Sequence, residues 1–296
     1  MKRVGFIGLG TMGEPMAKNV VKKGFPLTVL DVVAAPVERL VALGAKAAST
    51  PREVASLSDV VITMLPNSAD VEQVVLGKDG IRDGAHRGLI VIDMSTIDPV
   101  VTKKIAQELA ASGVRMIDAP VGKPSQFAVD ATLSIMAGGD RADVEECREI
   151  LMSMGNTLFY CGPTGMGATM KVVNNLLSCT VVVATAEALV LGARSGLSAE
   201  TMLEVLRQTG ANNAHLHITY PNKALKGDFR PNFMIDLAHK DLGLALAFAG
   251  QQGIPLAVGA AAREVMTAAR GKGKGKLDWT AVMTVLEEIA KVEVRV

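Results

Sequence analysis

Lys171, Asn174, Asn175 and Ser178 recur at steps of three and four within an otherwise apolar stretch. On a helix those steps place all of them on one face. An ammonium that can lose and regain a proton is a general acid–base group, and two carboxamides and a hydroxyl can hold the donors and acceptors of a small polar molecule. Burying an ammonium and two carboxamides with nothing opposite them costs several kcal/mol. The face is therefore either a wet patch on a core helix or one wall of a ligand site, and these four residues alone leave both readings open.

Two other stretches carry chemistry. Gly8-Leu9-Gly10-Thr11-Met12-Gly13 has the G-x-G-x-x-G spacing, in which the first glycine makes a tight turn, the second lets a pyrophosphate approach the backbone and the third lets helix and strand pack closely. Asp31 follows at the distance expected for a carboxylate that accepts hydrogen bonds from the adenosine ribose, and Val32-Val33 supply no arginine for a 2′-phosphate. NAD is thus expected in preference to NADP, with Asp31 as an ordinary strand-end cap the alternative. The loop Asp118-Ala119-Pro120-Val121-Gly122-Lys123-Pro124-Ser125 crowds backbone donors and a hydroxyl around one lysine, so it reads as an anion site or as a solvated loop.

The elements that must position these residues follow from periodicity. β-prone runs are expected at 3–7, 26–30, 45–48, 60–65, 89–94, 116–119, 132–137 and 158–161. Helical spacing separates them at 15–21, 36–43, 51–57, 69–76, 99–112 and 141–154. Alternating strands and helices imply an α/β Rossmann-type domain with a doubly wound parallel sheet. Ligands of such sheets lie beyond the carboxyl ends of the strands, which puts Leu65-Pro66-Asn67 and Ser95-Thr96 beside a cofactor. Residues 165–195 hold no proline, and no glycine between Gly167 and Gly192, so a single helix roughly 40 Å long is available. Helical segments alone follow, at 198–209, 222–226, 234–252, 255–270 and 280–290. The expected organisation is a dinucleotide-binding domain over 1–163, a long interdomain helix over 164–194 and an all-helical domain over 195–296.

Composition bounds the rest. The chain has 296 residues, 49% of them hydrophobic, and a formal net charge of +1, so it can bury a large core and has no overall field to draw it to nucleic acid or a membrane surface. Cys147, Cys161 and Cys179 form no CxxC pair, and no histidine has metal-ligand spacing to acids or cysteines; no metal and a reducing, cytoplasmic setting are expected. The apolar part of the long helix approaches membrane-spanning length but contains Asn174, Asn175 and Glu187, which favours a buried helix. The run from Gly271 to Lys276 alternates glycine with lysine and reads as a mobile solvated loop. Within Ile235–Leu244, Asp236 and Lys240 are four apart and suggest an intrahelical ion pair, while His239 is expected to be a packed or surface residue.

GFIGLGTMGEPMAKNV from residue 5, DAPV at 118, GMGATMKVVNN from 165 and Lys240-Asp241-Leu242 together resemble the β-hydroxyacid dehydrogenase family, whose members include 3-hydroxyisobutyrate dehydrogenases and tartronate and succinic semialdehyde reductases. The resemblance covers essentially the whole chain. It implies that Lys171 is the catalytic acid/base, that Asn175 helps hold the substrate, and that Lys240 lies near the nicotinamide. It also implies that Gly8 to Gly13, with Leu9, Thr11 and Met12, the residues Leu65, Pro66 and Asn67, and Ser95 and Thr96 line the cofactor. At the substrate loop the chain departs from the family's DAPVSGG and later GTL, reading Gly122-Lys123-Pro124 and Ala131-Thr132-Leu133. In that loop it is most similar to sulfolactaldehyde reductases, with lysine in place of their arginine, a point charge in place of a planar fork.

The implied reaction is reversible hydride transfer between NAD(H) and the carbonyl of a short semialdehyde. Asn174, Asn175 and Ser178 would orient the substrate, and Ser95, Gly122, Lys123 and Ser125 would hold its distal carboxylate or sulfonate. Lys240, if near Lys171, would favour its neutral form. The substrate is then expected to lie on the long helix between two domains, in a homodimer or homotetramer. The reading of another class is a non-catalytic NAD-binding reader, against which the presence of Lys171 argues.

Overall fold

In the computed structural model, which describes residues 1–296, the chain divides into two compact units, 1–171 and 172–296. The first alternates strand and helix: β1 (Val4–Ile7), α1 (Gly13–Lys22), β2 (Leu27–Leu30), α2 (Ala34–Val41), β3 (Lys46–Ala47), α3 (Pro51–Leu57), β4 (Val60–Thr63), α4 (Ser68–Leu76), β5 (Ile90–Asp93), α5 (Pro99–Ala111) and β6 (Arg115–Asp118). It closes with β7 (Val121–Gly122), α6 (Ser125–Val129), β8 (Leu133–Gly138), α7 (Arg141–Glu146), α8 (Arg148–Met152) and β9 (Gly155–Gly162). Runs such as Val60-Val61-Ile62 and Ile90-Val91-Ile92 are buried throughout, as strands covered by helices on both faces must be.

Strands β3-β2-β1-β4-β5-β6 are parallel in that order, so the order reverses between β1 and β4. At this switch the carboxyl ends of neighbouring strands diverge and leave room for a ligand. The far edge departs from an all-parallel sheet: β8 runs antiparallel to β6 and β7, and β9 parallel to β8. Pro120, which has no N–H for a ladder, stands between β6 and β7.

Other details also differ from the expected elements. The helix expected over 141–154 is two short ones on either side of Cys147, and the loop after Lys123 contains α6. Around 222–226 the chain instead makes short turns of π, α and 3-10 helix, broken at Lys223, whose φ of −128° and ψ of −101° are not helical.

Helix α9 (Met166–Arg194) has 29 residues, and the boundary between the units falls inside it, after Lys171. Its first turn therefore belongs with the α/β unit, whereas the sequence reading ended that unit at 163. By length and composition α9 is sufficient to cross a membrane, but Val182, Val183, Ala186 and Leu189 are buried in the second unit's own core. That core also takes side chains from α10 (Ala199–Leu206), α11 (Tyr220–Asn222), α12 (Ile235–Gln251), α13 (Ala257–Gly271) and α14 (Val282–Ala290). In the glycine–lysine run Lys272 and Lys274 both pair with Glu288 on α14, and Lys274 also donates to Thr284. Composition does not reveal this carboxylate within reach of both side chains.

Candidate active site

The glycine turn is fixed by close approach. Gly8 has φ +95°, and a Cβ there would stand 2.3 Å from the Met64 carbonyl oxygen; one on Gly13 would stand 1.9 Å from the Gly8 oxygen. Gly10 differs, because a Cβ on it would meet nothing within 4 Å. Protein packing does not require that glycine, whereas a group lying on the backbone would. Leu9 is buried, Met12 packs on the core and Thr11 is exposed. A cavity of about 370 Å³ opens here, lined by Gly10, Thr11, Asp31 and Val33 together with Glu14 and Arg39. An open glycine, the start of α1 and a carboxylate at the end of β2 suit a dinucleotide.

Asp31 accepts the Leu9 N–H on one oxygen and the Val33 N–H, at 2.8 Å, on the other. It thereby ties the glycine turn to the end of β2, and each oxygen keeps a lone pair for a ligand. The loops after β4 and β5 are joined: the Ser95 hydroxyl, buried, accepts the Leu65 N–H at 2.9 Å, and the Ser95 N–H donates to Asp93. Asn67 caps α4 through the Asp70 N–H at 2.9 Å. Its carboxamide also donates to the Asp70 carboxylate, which fixes the side chain at the cap and leaves one Nδ2 proton beyond it. Pro66 and Thr96 continue the same two loops.

The substrate loop is braced from within. Lys123 has φ +75°, a left-handed conformation that costs a side chain energy. Its ammonium donates to the Thr132 carbonyl at 2.7 Å and lies 3.5 Å from Asn156 Oδ1 and 5.2 Å from the centroid of the Phe127 ring. The anion clamp expected of Lys123 is thus first a loop brace, because a carbonyl lies within reach of its flexible stem; one of its three protons remains beyond these two acceptors. Gly122 is buried in β7, paired with Ser134, and Ser125 begins α6.

Asp118 roots α9. Its carboxylate accepts the Gly165 and Ala168 N–H groups, each at 2.7 Å, meeting two otherwise orphan donors at the helix start. Burial, with Asp93 beside it, pushes this carboxyl up to about 6 against the pull of those donors. A Cβ on Gly167 would come 2.3 Å from the Met136 oxygen and 2.4 Å from that of Asp118, so the GMG of the motif lets the helix start against β6 and β8.

In the helical unit the face carrying Lys171 continues through Asn174, Asn175 and Ser178. Asn174 Nδ2 donates to Asn175 Oδ1 at 2.9 Å, and Asn175 Nδ2 donates to Asp241 Oδ2 at 2.5 Å. The ammonium of Lys240 lies 3.3 Å from the other Asp241 oxygen. Asp236, four residues before Lys240, accepts from Arg270 at 2.6 Å, and Lys240 lies against the carboxylate of its neighbour Asp241. Because a carboxylate only accepts, Asp241 dictates which end of the Asn175 carboxamide faces it, and one Nδ2 proton is left for a ligand. Ser178 Oγ lies 3.4 Å from Nε2 of His215, a buried ring that also contacts Thr219 and the edge of Trp279. His239 is packed, its two ring nitrogens against Thr267 and Arg270, and burial lowers its pKa.

Asp241, Asp118 and the pair of Glu14 with Arg39 are residues for which sequence reasoning assigned no role. Only adjacency to Lys240 and membership of the DAPV motif hinted at the first two. Contacts across 66 and 47 positions leave no local periodicity to read.

Comparison with known proteins identifies the family of the chain. The family model for the NAD binding domain of 6-phosphogluconate dehydrogenase matches residues 3–162, and one described as NAD-binding of NADP-dependent 3-hydroxyisobutyrate dehydrogenase matches residues 165–286. The 3-sulfolactaldehyde reductase of Escherichia coli (strain K12) is 44% identical over 283 residues, covering 96% of this chain and 95% of its own. The 2-(hydroxymethyl)glutarate dehydrogenase of Eubacterium barkeri is 38% identical, covering 99% and 97%. Among solved structures, the 3-hydroxyisobutyrate dehydrogenase of Mycobacterium tuberculosis with L-serine superposes with a TM-score of 0.90 at 30% identity, covering 97% of this chain and 99% of the other.

Proposed function

The chain belongs to the 3-hydroxyisobutyrate dehydrogenase-like family and is a nicotinamide-dependent hydroxyacid dehydrogenase, and from that premise we propose that it interconverts a short 3-hydroxy acid or hydroxysulfonate and its semialdehyde, with Lys171 as general acid/base. The leading substrate is a 3-carbon sulfonated aldehyde of the sulfolactaldehyde type, in keeping with the 3-sulfolactaldehyde reductase at 44% identity. Carboxylate semialdehydes such as methylmalonic, tartronic and succinic semialdehyde are the alternatives. The dinucleotide, held by the glycine turn, Asp31 and the loops after β4 and β5, supplies or accepts the hydride, and NAD is preferred over NADP.

In reduction the carbonyl oxygen gains the electron pair of the C=O π bond, and the Lys171 ammonium gives it a proton, leaving a neutral amine that solvent reprotonates. Oxidation runs the same proton in reverse. Asn175 offers the Nδ2 proton that Asp241 leaves unused, and Asn174 and Ser178 extend the polar face along α9. Lys123, with its third ammonium proton, and the Gly122–Ser125 loop receive the distal anion. Lys240, the residue the resemblance sets near the nicotinamide, has its charge compensated by Asp241.

The observation that carries the reading is the Asn174–Asn175–Asp241 relay on the face of α9 that also bears Lys171. The test is NADH consumption with sulfolactaldehyde and with succinic, methylmalonic and tartronic semialdehydes, for the wild type and Lys123→Gly. The sulfonated aldehyde should give the highest kcat/KM, and the variant should lose about tenfold or more on it, the scale of a charge-assisted hydrogen bond. A variant unchanged on every substrate would remove Lys123 from the site.

A further inference from the structure

The cavity beside the glycine turn contains a charge arrangement that Asp31 alone does not account for. Arg39, on α2, is the one basic residue of its lining. Glu14, in the first turn of α1, binds it bidentately, accepting Arg39 Nε and Nη2 at 2.7 Å each, and takes Lys18 at 2.6 Å as well. The Nε/Nη2 fork that grips this carboxylate is the edge of a guanidinium that grips a phosphate equally well. Arg39 holds the Glu14 carboxyl down at about 2, so the pair is ionised at any working pH. Asp31 is committed to two backbone N–H groups of the fold, and replacing it would loosen the glycine turn for every dinucleotide. Glu14 has no such duty to the turn.

We propose that Glu14 is a positioning residue for cofactor choice, one that acts through Arg39. By occupying the guanidinium fork it denies a 2′-phosphate the only cation of the cavity, and so reserves the site for the unphosphorylated dinucleotide. Reading the chain for an arginine directly after β2 misses this, because Arg39 reaches the cavity from the second turn of α2.

The inference rests on the preference for NAD stated above, and calorimetric titration of the whole chain with NADH and with NADPH tests the two separately. The wild type should bind NADH more tightly, and equal affinities would contradict that preference without touching the shift expected on substitution. Glu14→Gln and Glu14→Ala should each move the NADPH-to-NADH affinity ratio toward NADPH by about tenfold, the effect of uncovering one charge beside a dianion. Arg39→Ala in the Glu14→Gln background should return the ratio to the wild-type value. A ratio unmoved by both Glu14 variants, or a gain that survives the loss of Arg39, would overturn the proposal.

Discussion

Asp241 settles what Asn175 presents. A carboxamide can turn either end to a ligand, but a buried carboxylate tolerates only its N–H end, so the relay from Asn174 to Asp241 leaves a donor on the helix face. Asp241→Asn can accept or donate and therefore frees the Asn175 carboxamide to turn. The KM for the semialdehyde should rise about tenfold while NADH binding changes little. Asn175→Ala should raise KM on its own, and adding Asp241→Asn to it should cost little more, because the two act as one unit. Fully additive effects would reduce Asp241 to a packing role. If instead Asn175→Ala leaves KM unchanged, it is the assignment of Asn175 to the substrate that fails.

The start of α9 depends on two neighbours that cannot be exchanged cheaply. Gly167→Ala places a methyl group against two carbonyl oxygens that are part of the sheet, and should destabilise the fold by about 3 kcal/mol or more in urea unfolding. Asp118 gives the helix its first hydrogen bonds but is buried with its pKa raised to about 6, from 3.8 in the unfolded chain. The native state thus holds a proton between those values that the unfolded state has released. Its contribution to stability is greatest at low pH, falls as pH rises from about 4 to about 6, and is level above that, with a total span of at most roughly 3 kcal/mol. Asp118→Asn should lack this fall, so the stability of the wild type relative to the variant should decrease as pH rises from 4 to 6.5; a constant difference would show that Asp118 keeps an ordinary pKa. The sequence displays the strands, the glycine turn and the length of α9, because these follow from local periodicity and from residues that tolerate few conformations. It does not display Asp118 as the anchor of that helix or Glu288 as the clamp on the lysine run, since each is a pairing of residues far apart in the chain.

Across the whole chain, charge is balanced and the proposed chemistry is local: a net charge of +1 gives no general attraction for an anionic cofactor, so the proposed binding is assigned to local groups, the glycine turn, Asp31 and the lining of one cavity. Lys171 is the last residue of the α/β unit, and the helix carrying it continues into the helical unit with Asn174, Asn175 and Ser178 on the same face. That continuity explains why the polar face was readable from spacing, while its partners, set by the packing of α12, were not. Lys171→Ala tests the account most directly, by turnover and by the rise in melting temperature on adding NADH. A saturating cofactor should stabilise variant and wild type alike, by about 2.7 kcal/mol at a hundredfold excess over Kd. Turnover of the variant should fall about 10²- to 10⁴-fold, the contribution of a positioned acid/base. Turnover within a few-fold of wild type, with the cofactor still bound, would contradict the assignment of Lys171.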